Sequence, residues 1–233
     1  MHYLLQNITP FAMKRFFFGC FLLVIGSVQA QQPKPVKPVI TDESQTILNK
    51  MQQKWVGLQS AKISFTLQSS PNGEKSSLLK GTVWTQGKAY KLEIPGQTVY
   101  CDGKTVWNYL PENQEVSIAD YEENSESISI NPLQVIATYD QYYRSAFIRE
   151  MSEKGVVVQI VDLYPKQGQS FYKIRMVIRK DKLLPTRAVI YEKSGATDTY
   201  YFDNILLNPA IKSGFFTFRP EEHPNVEIID MRE

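Results

Sequence analysis

Histidine is nearly missing from this 233-residue chain, which has only His2 and His223; histidine-based triads, two-histidine metal sites and most acid–base dyads are therefore excluded by inventory. No G-x-S-x-G, P-loop or G-x-G-x-x-G motif occurs. Cysteine is equally scarce. Cys20 falls in an apolar amino-terminal segment, and without it Cys101 has no intramolecular partner, so stability must come from a core. The one basic neighbour of Cys101 is Lys104 across a turn, and the residue reads as a small core side chain. Two carboxylates would suffice for a glycosidase, but Glu122, Glu123 and Glu126 lie in an acidic, serine-rich stretch, residues 120–129, with the pattern of a solvated loop. A surplus of one charge sign is also missing. The formal +2 is carried by Lys14 and Arg15, because residues 1–30 contain no acid. The rest is neutral, with lysines and arginines interleaved with acids, which speaks against nucleic acid as a partner.

No apolar run reaches the ~20 residues of a comfortable membrane span. Residues 16–28 form a shorter one behind Lys14 and Arg15, and Val28 and Ala30 supply the small residues of a signal-peptidase site. Residues 1–30 are thus read as a cleaved signal peptide, with Met13 as an alternative natural start. Gly19-Cys20 is no lipobox, since the apolar region would lie on the wrong side of the cut. Pro33, Pro35 and Pro38 make residues 31–40 an extended leader, and residues 41–233 are expected to form one domain.

Within that domain, Thr41 caps an expected helix whose stripe is Leu48, Met51, Trp55 and Leu58. From Ala61 the period becomes two: Ile63, Phe65 and Leu67, then Leu79, Gly81 and Val83, then Tyr90, Leu92 and Ile94. Pro71-Asn72-Gly73 and Asp102-Gly103 mark turns. Asn131-Pro132 opens a second helical segment carrying Leu133, Ile136 and Ala137, and strand patterns resume over residues 156–163, 172–178, 184–191 and 199–206. About ten strands and two or three helices give a mainly β, α+β fold: a curved antiparallel sheet forming an incomplete barrel, covered by an amino-terminal helix and a helical lid. Trp84, Tyr90, Trp107, Tyr109, Tyr172 and Tyr191 enrich the sheet in aromatics and suit an apolar lining.

Two stretches resemble the LolA-type outer-membrane lipoprotein carriers. Residues 81–118, GTVWTQGKAYKLEIPGQTVYCDGKTVWNYLPENQEVSI, are similar to a G-x-x-W strand followed by a D-G-K-x-x-W-x-Y hairpin and a short N-Q turn. Residues 184–229 resemble the family's carboxy-terminal half, through Leu184-Pro185-Thr186, Gly195, Phe216-x-Phe218 with Pro220, and Pro224-Asn225-Val226. The resemblance implies a non-enzymatic periplasmic monomer without cofactor. Such a protein takes lipoprotein acyl chains from an inner-membrane ABC transporter to an outer-membrane acceptor. By position, Tyr90, Leu92, Val99, Leu133 and Ile136 match the family's cavity or lid, and Trp107, Tyr109 and Ile174 stand with them as candidate lipid contacts. One departure is visible: Gln86-Gly87 replace an Arg-Pro pair whose arginine latches the lid in the family. Rival readings are a lipid- or lipoprotein-sensing regulatory module of the same fold, a receptor lipoprotein, for which Gln31 is not the required acylated cysteine, and a secreted hydrolase.

Cleavage after Ala30 is the first testable consequence. Amino-terminal sequencing of secreted protein should begin at Gln31, and a start at a lipidated Cys20 would overturn the export reading.

Overall fold

The computed structural model describes residues 42–72, 75–122 and 134–232. The signal peptide, the leader, the Thr41 cap, Gly73, residues 123–129 of the acidic stretch, the Asn131-Pro132 start and Leu133 lie outside them. Helix α1 (Asp42–Val56) is followed by a meander of six strands: β1 (Ala61–Ser70), β2 (Ser77–Gln86), β3 (Ala89–Ile94), β4 (Gln97–Cys101), β5 (Thr105–Leu110) and β6 (Glu115–Asp120). Helix α2 (Gln134–Tyr142) then leads into β7 (Tyr143–Glu153), β8 (Val156–Pro165), β9 (Phe171–Arg179), β10 (Leu184–Glu192) and β11 (Thr197–Leu207). A short β12 (Glu227–Asp230) ends the order.

The twelve strands form one sheet in the order β12-β6-β5-β4-β3-β2-β1-β11-β10-β9-β8-β7, not closed into a barrel. Local chemistry sets the hairpins. Asp102 Oδ1 accepts from the Lys104 and Thr105 amides at 2.9 and 2.8 Å, and Gly103 adopts φ +93°, so the Asp-Gly turn joins β4 to β5 as its sequence requires. The long-range step is β11 against β1, Ala61 opposite Leu207, which sews the carboxy-terminal hairpins to the first meander.

Two expectations are corrected. Strand β7 was not anticipated, because Arg144, Ser145, Arg149 and Glu150 blur its alternation and a bulge between Phe147 and Arg149 shifts its phase. Strand β12 runs parallel to β6, Ile228 beside Val116, where an all-antiparallel sheet was expected; between β11 and β12 the chain crosses the sheet and arrives in the same sense as β6.

Because side chains alternate between faces, one face gathers Ile63 and Phe65 of β1, Val83 of β2, Tyr90 and Leu92 of β3, Val99 and Cys101 of β4, and Ile174, Met176 and Ile178 of β9. This inner face is covered by Ile47, Leu48 and Met51 of α1 and by Val135, Ile136 and Tyr139 of α2 in a single continuous core. Gly81 lies opposite Phe65 in this layer, and a Cβ there would sit 2.5 Å from Phe65 Cζ and 2.9 Å from Ile94 Cγ2. The phenyl ring occupies the space that a side chain would need.

Gly81→Ala should therefore cost ~1–3 kcal/mol through overpacking, read from urea unfolding, and a second change, Phe65→Leu, should recover part of it. Equal stability of wild type and Gly81→Ala would refute the close approach.

Candidate functional site

Five of the candidate lipid contacts meet in the inner layer. Tyr90 and Leu92 project from β3, Val99 pairs with Leu92 from β4, Ile174 comes from β9 and Ile136 reaches down from α2. All five are buried. The layer carries hydroxyls but no charge: burial pushes the Tyr90 phenol up, and also raises Tyr143 and Tyr200 to about 12. Burial likewise raises the Cys101 thiol, whose sulfur accepts from the Gly103 amide at 3.3 Å, in keeping with a core residue rather than a nucleophile. Among the described residues no three metal-ligating side chains gather.

Trp107 and Tyr109 do not join this layer. Tyr100 faces Trp107 and Thr98 faces Tyr109, whereas Val99 faces Asn108, so the register turns both aromatics to the outer face. There Tyr109 packs 5.2 Å from Phe218 and 4.5 Å from His223, whose ring stacks on Phe218 at 4.8 Å. Trp84 meets Phe215 at 5.5 Å on the same face. These aromatics form a second, smaller core that fastens the segment between β11 and β12 to the outside of the meander. His223 serves in that packing. A cleft of about 210 Å3 opens beside it, between Lys91, Tyr100, Phe215 and Arg219.

The cover of the inner layer is thin, and polar contacts tie it down. Tyr139 Oη donates to Asn49 Oδ1, joining α2 to α1. Gln52 Nε2 donates to Asp140 Oδ1 at 3.3 Å, and the buried hydroxyls of Ser44 and Ser145 lie 2.9 Å apart between α1 and β7. Gln86 takes no place in this set: it ends β2 opposite Ala89 on the outer face, and Gly87 turns the chain with φ +58°. The family's arginine latch thus has no counterpart at these two positions, and the helices are joined to each other and to β7 instead.

Sequence reasoning missed Tyr139, Tyr143 and Phe171, all buried in the inner layer. The spacing Val135, Tyr139, Tyr143 at i, i+4, i+8 was the available signal for the first two. It was hidden because the last of the three already belongs to β7. Trp55 Nε1, on α1 beside the same core, is a buried donor without an acceptor among the described residues.

A family model described as outer membrane lipoprotein carrier protein LolA matches residues 56–219. The chain belongs to the LolA family. Among solved structures, an uncharacterized conserved protein from Thermus thermophilus is similar over 81% of this chain and 99% of its own, at 12% identity and a TM-score of 0.56. A LolA superfamily protein from Nitrosomonas europaea is similar over 75% of this chain and 97% of its own, at 14% identity and a TM-score of 0.43. The lipoprotein LppX of Mycobacterium tuberculosis is similar over 74% of this chain and 99% of its own, at 12% identity and a TM-score of 0.44. The Thermus match is a likeness of fold, and the other two are more distant in shape. No curated protein matches this chain.

Tyr139→Phe should lower stability by about 1 kcal/mol, the usual loss for one neutral hydrogen bond, and should speed amide exchange in α2 while leaving β1–β4 unchanged. Exchange in α2 as slow as in wild type would show that the Tyr139–Asn49 bond does not hold the helix.

Proposed function

We propose that this LolA-family chain is a non-enzymatic periplasmic carrier. It holds lipoprotein acyl chains between its inner sheet face and its two helices, and passes them from an inner-membrane ABC transporter to an outer-membrane acceptor. Residues 1–30 direct export, residues 31–40 space the domain, and residues 41–233 act as one monomeric unit. The observation that carries the reading is the inner layer in which the apolar and aromatic side chains of Tyr90, Leu92, Val99, Ile136 and Ile174 meet under a cover of two short helices. Three acyl chains expose roughly forty methylenes, which would cost on the order of 30 kcal/mol in water at ~0.8 each; transit of an aqueous space therefore needs an apolar sheath.

The cover suits the task because its polar ties are neutral or exposed, each worth ~1 kcal/mol, so cargo burial outweighs them many times over. Trp55 adds a donor already desolvated on the lining side, able to bond a lipid carbonyl without further dehydration.

The test pairs folding with retention. Ile136 is 2% exposed, so in a permanently sealed core Ile136→Glu would bury an unpaired charge and lose several kcal/mol. Under the carrier reading α2 swings out and the carboxylate reaches water. The unfolding midpoint should then fall only modestly, while retention of a fluorescent acyl probe or a bound lipoprotein drops at least tenfold, about 1.4 kcal/mol. Full retention in a stably folded variant would overturn the assignment of α2. Mass spectrometry of wild-type protein from the periplasm should find acylated cargo, and its absence would remove the carrier reading itself.

A further inference from the structure

The neutrality of residues 31–233 hides a strong local imbalance. The fifty residues Tyr143–Glu192, β7 to β10, contain ten lysines and arginines against five acids. In three dimensions much of this surplus lies on the outer face. The segment that covers the outside of β2–β5 through Phe215, Phe218 and His223 makes no such ring contact with β7–β10. There, Val158, Ile160 and Val177 are buried although neither α1 nor α2 packs over them. Their register neighbours are Arg179, Arg149 and Arg187, whose apolar stems can lie across the aliphatic side chains with the guanidinium groups outward.

Part of the charge is neutralised locally. Asp162 takes Arg175 at 2.7 Å and Lys173 at 3.7 Å, Glu153 takes Arg187 at 3.2 Å, and Asp181 takes Arg179 at 2.7 Å. Arg144 and Arg149, both exposed on edge strand β7, have no acidic partner among the described residues. Beside them Ile148, displaced at the bulge, is 41% exposed, and Tyr172, 50% exposed, packs on Tyr191 under the Lys173 ammonium. Cations interspersed with tyrosines and protruding aliphatic side chains are the chemistry of a protein surface that meets lipid headgroups.

We propose that the outer face of β7–β10 docks on an anionic bilayer, with Arg144 and Arg149 among the phosphates and Tyr172 and Ile148 at the headgroup boundary. Strand β7 continues directly from α2, so docking would bring the root of the helical cover to the membrane surface. The inference rests on charge and exposure, not on the carrier reading.

The experiment measures binding of the secreted chain to vesicles of equal parts phosphatidylglycerol and phosphatidylcholine, and to pure phosphatidylcholine. Binding should require the anionic lipid and weaken with salt. Arg144→Gln with Arg149→Gln should weaken it roughly 25-fold, about fivefold for each charge at ~1 kcal/mol. Arg144→Lys with Arg149→Lys should retain it, as should a Lys88→Gln, Lys104→Gln control on the β2–β5 turns. Equal binding to both vesicle types, or an equal loss in the control, overturns the proposal. Competition by soluble polyglutamate as strong as by anionic vesicles also overturns it, reassigning the face to acidic polypeptide. Acyl-probe retention measured in the same variants should be unchanged, which separates failure of docking from failure of carriage.

Discussion

A sheet has two faces, and alternation along every strand sends half of its side chains to each; in this twelve-stranded sheet both faces carry apolar residues to remove from water. This chain solves the problem differently on each side. The inner face is covered by α1 and α2, which contribute residues as deeply buried as Met51 and Ile136 but are only 15 and 9 residues long. The outer face of β2–β5 meets the phenylalanines of the segment after β11, and on that of β8–β10 charged residues and tyrosines stand among the aliphatic ones.

The chemistry of the two sides follows from these covers. Among the described residues, the cluster beneath the helices contains no carboxylate, ammonium or guanidinium, and burial raises the Tyr90, Tyr139, Tyr143 and Tyr200 phenols and the Cys101 thiol further toward their neutral forms. The helices are held by Tyr139–Asn49, Gln52–Asp140 and Ser44–Ser145, contacts that order the cover without anchoring it through a buried ion pair. On the outer side the buried carboxylate of Asp162 is matched by a two-pronged bond to Arg175, at 2.7 and 2.8 Å, which keeps a charged residue in the middle of a strand tolerable. The inner layer is thus apolar, and charged side chains are concentrated on the exterior over β7–β10.

Gly81 joins family resemblance to physics. It opens the G-x-x-W motif in the middle of β2, and the Phe65 ring lies where its side chain would be. The motif is the trace of a close approach within the inner layer. Trp84, the motif's other end, faces outward and receives Phe215, so one short motif serves both covers.

What the sequence determined by itself was whatever depends on neighbours along the chain. The period-two runs of Ile63-Phe65 and Tyr90-Leu92 mark strands, the Asp102-Gly103 turn sets its own hairpin through local hydrogen bonds, and the lack of histidine excludes whole classes of chemistry. Whatever depends on partners far along the chain was decided by the tertiary structure. Trp107 and Tyr109 look like lining residues until the register against Tyr100 and Thr98 turns them outward, since a strand's alternation says that two faces exist but not which one is inside. Strand β7 escaped notice because an edge strand needs apolar residues on one side at most, and its bulge breaks even that rhythm. The basic face was hidden for the same reason. Along the chain its arginines alternate with acids and aliphatic residues, and only the pairing of β7 to β10 brings Arg144, Arg149, Lys173 and Arg175 onto one surface, because side chains from different strands share a face only once their register is set.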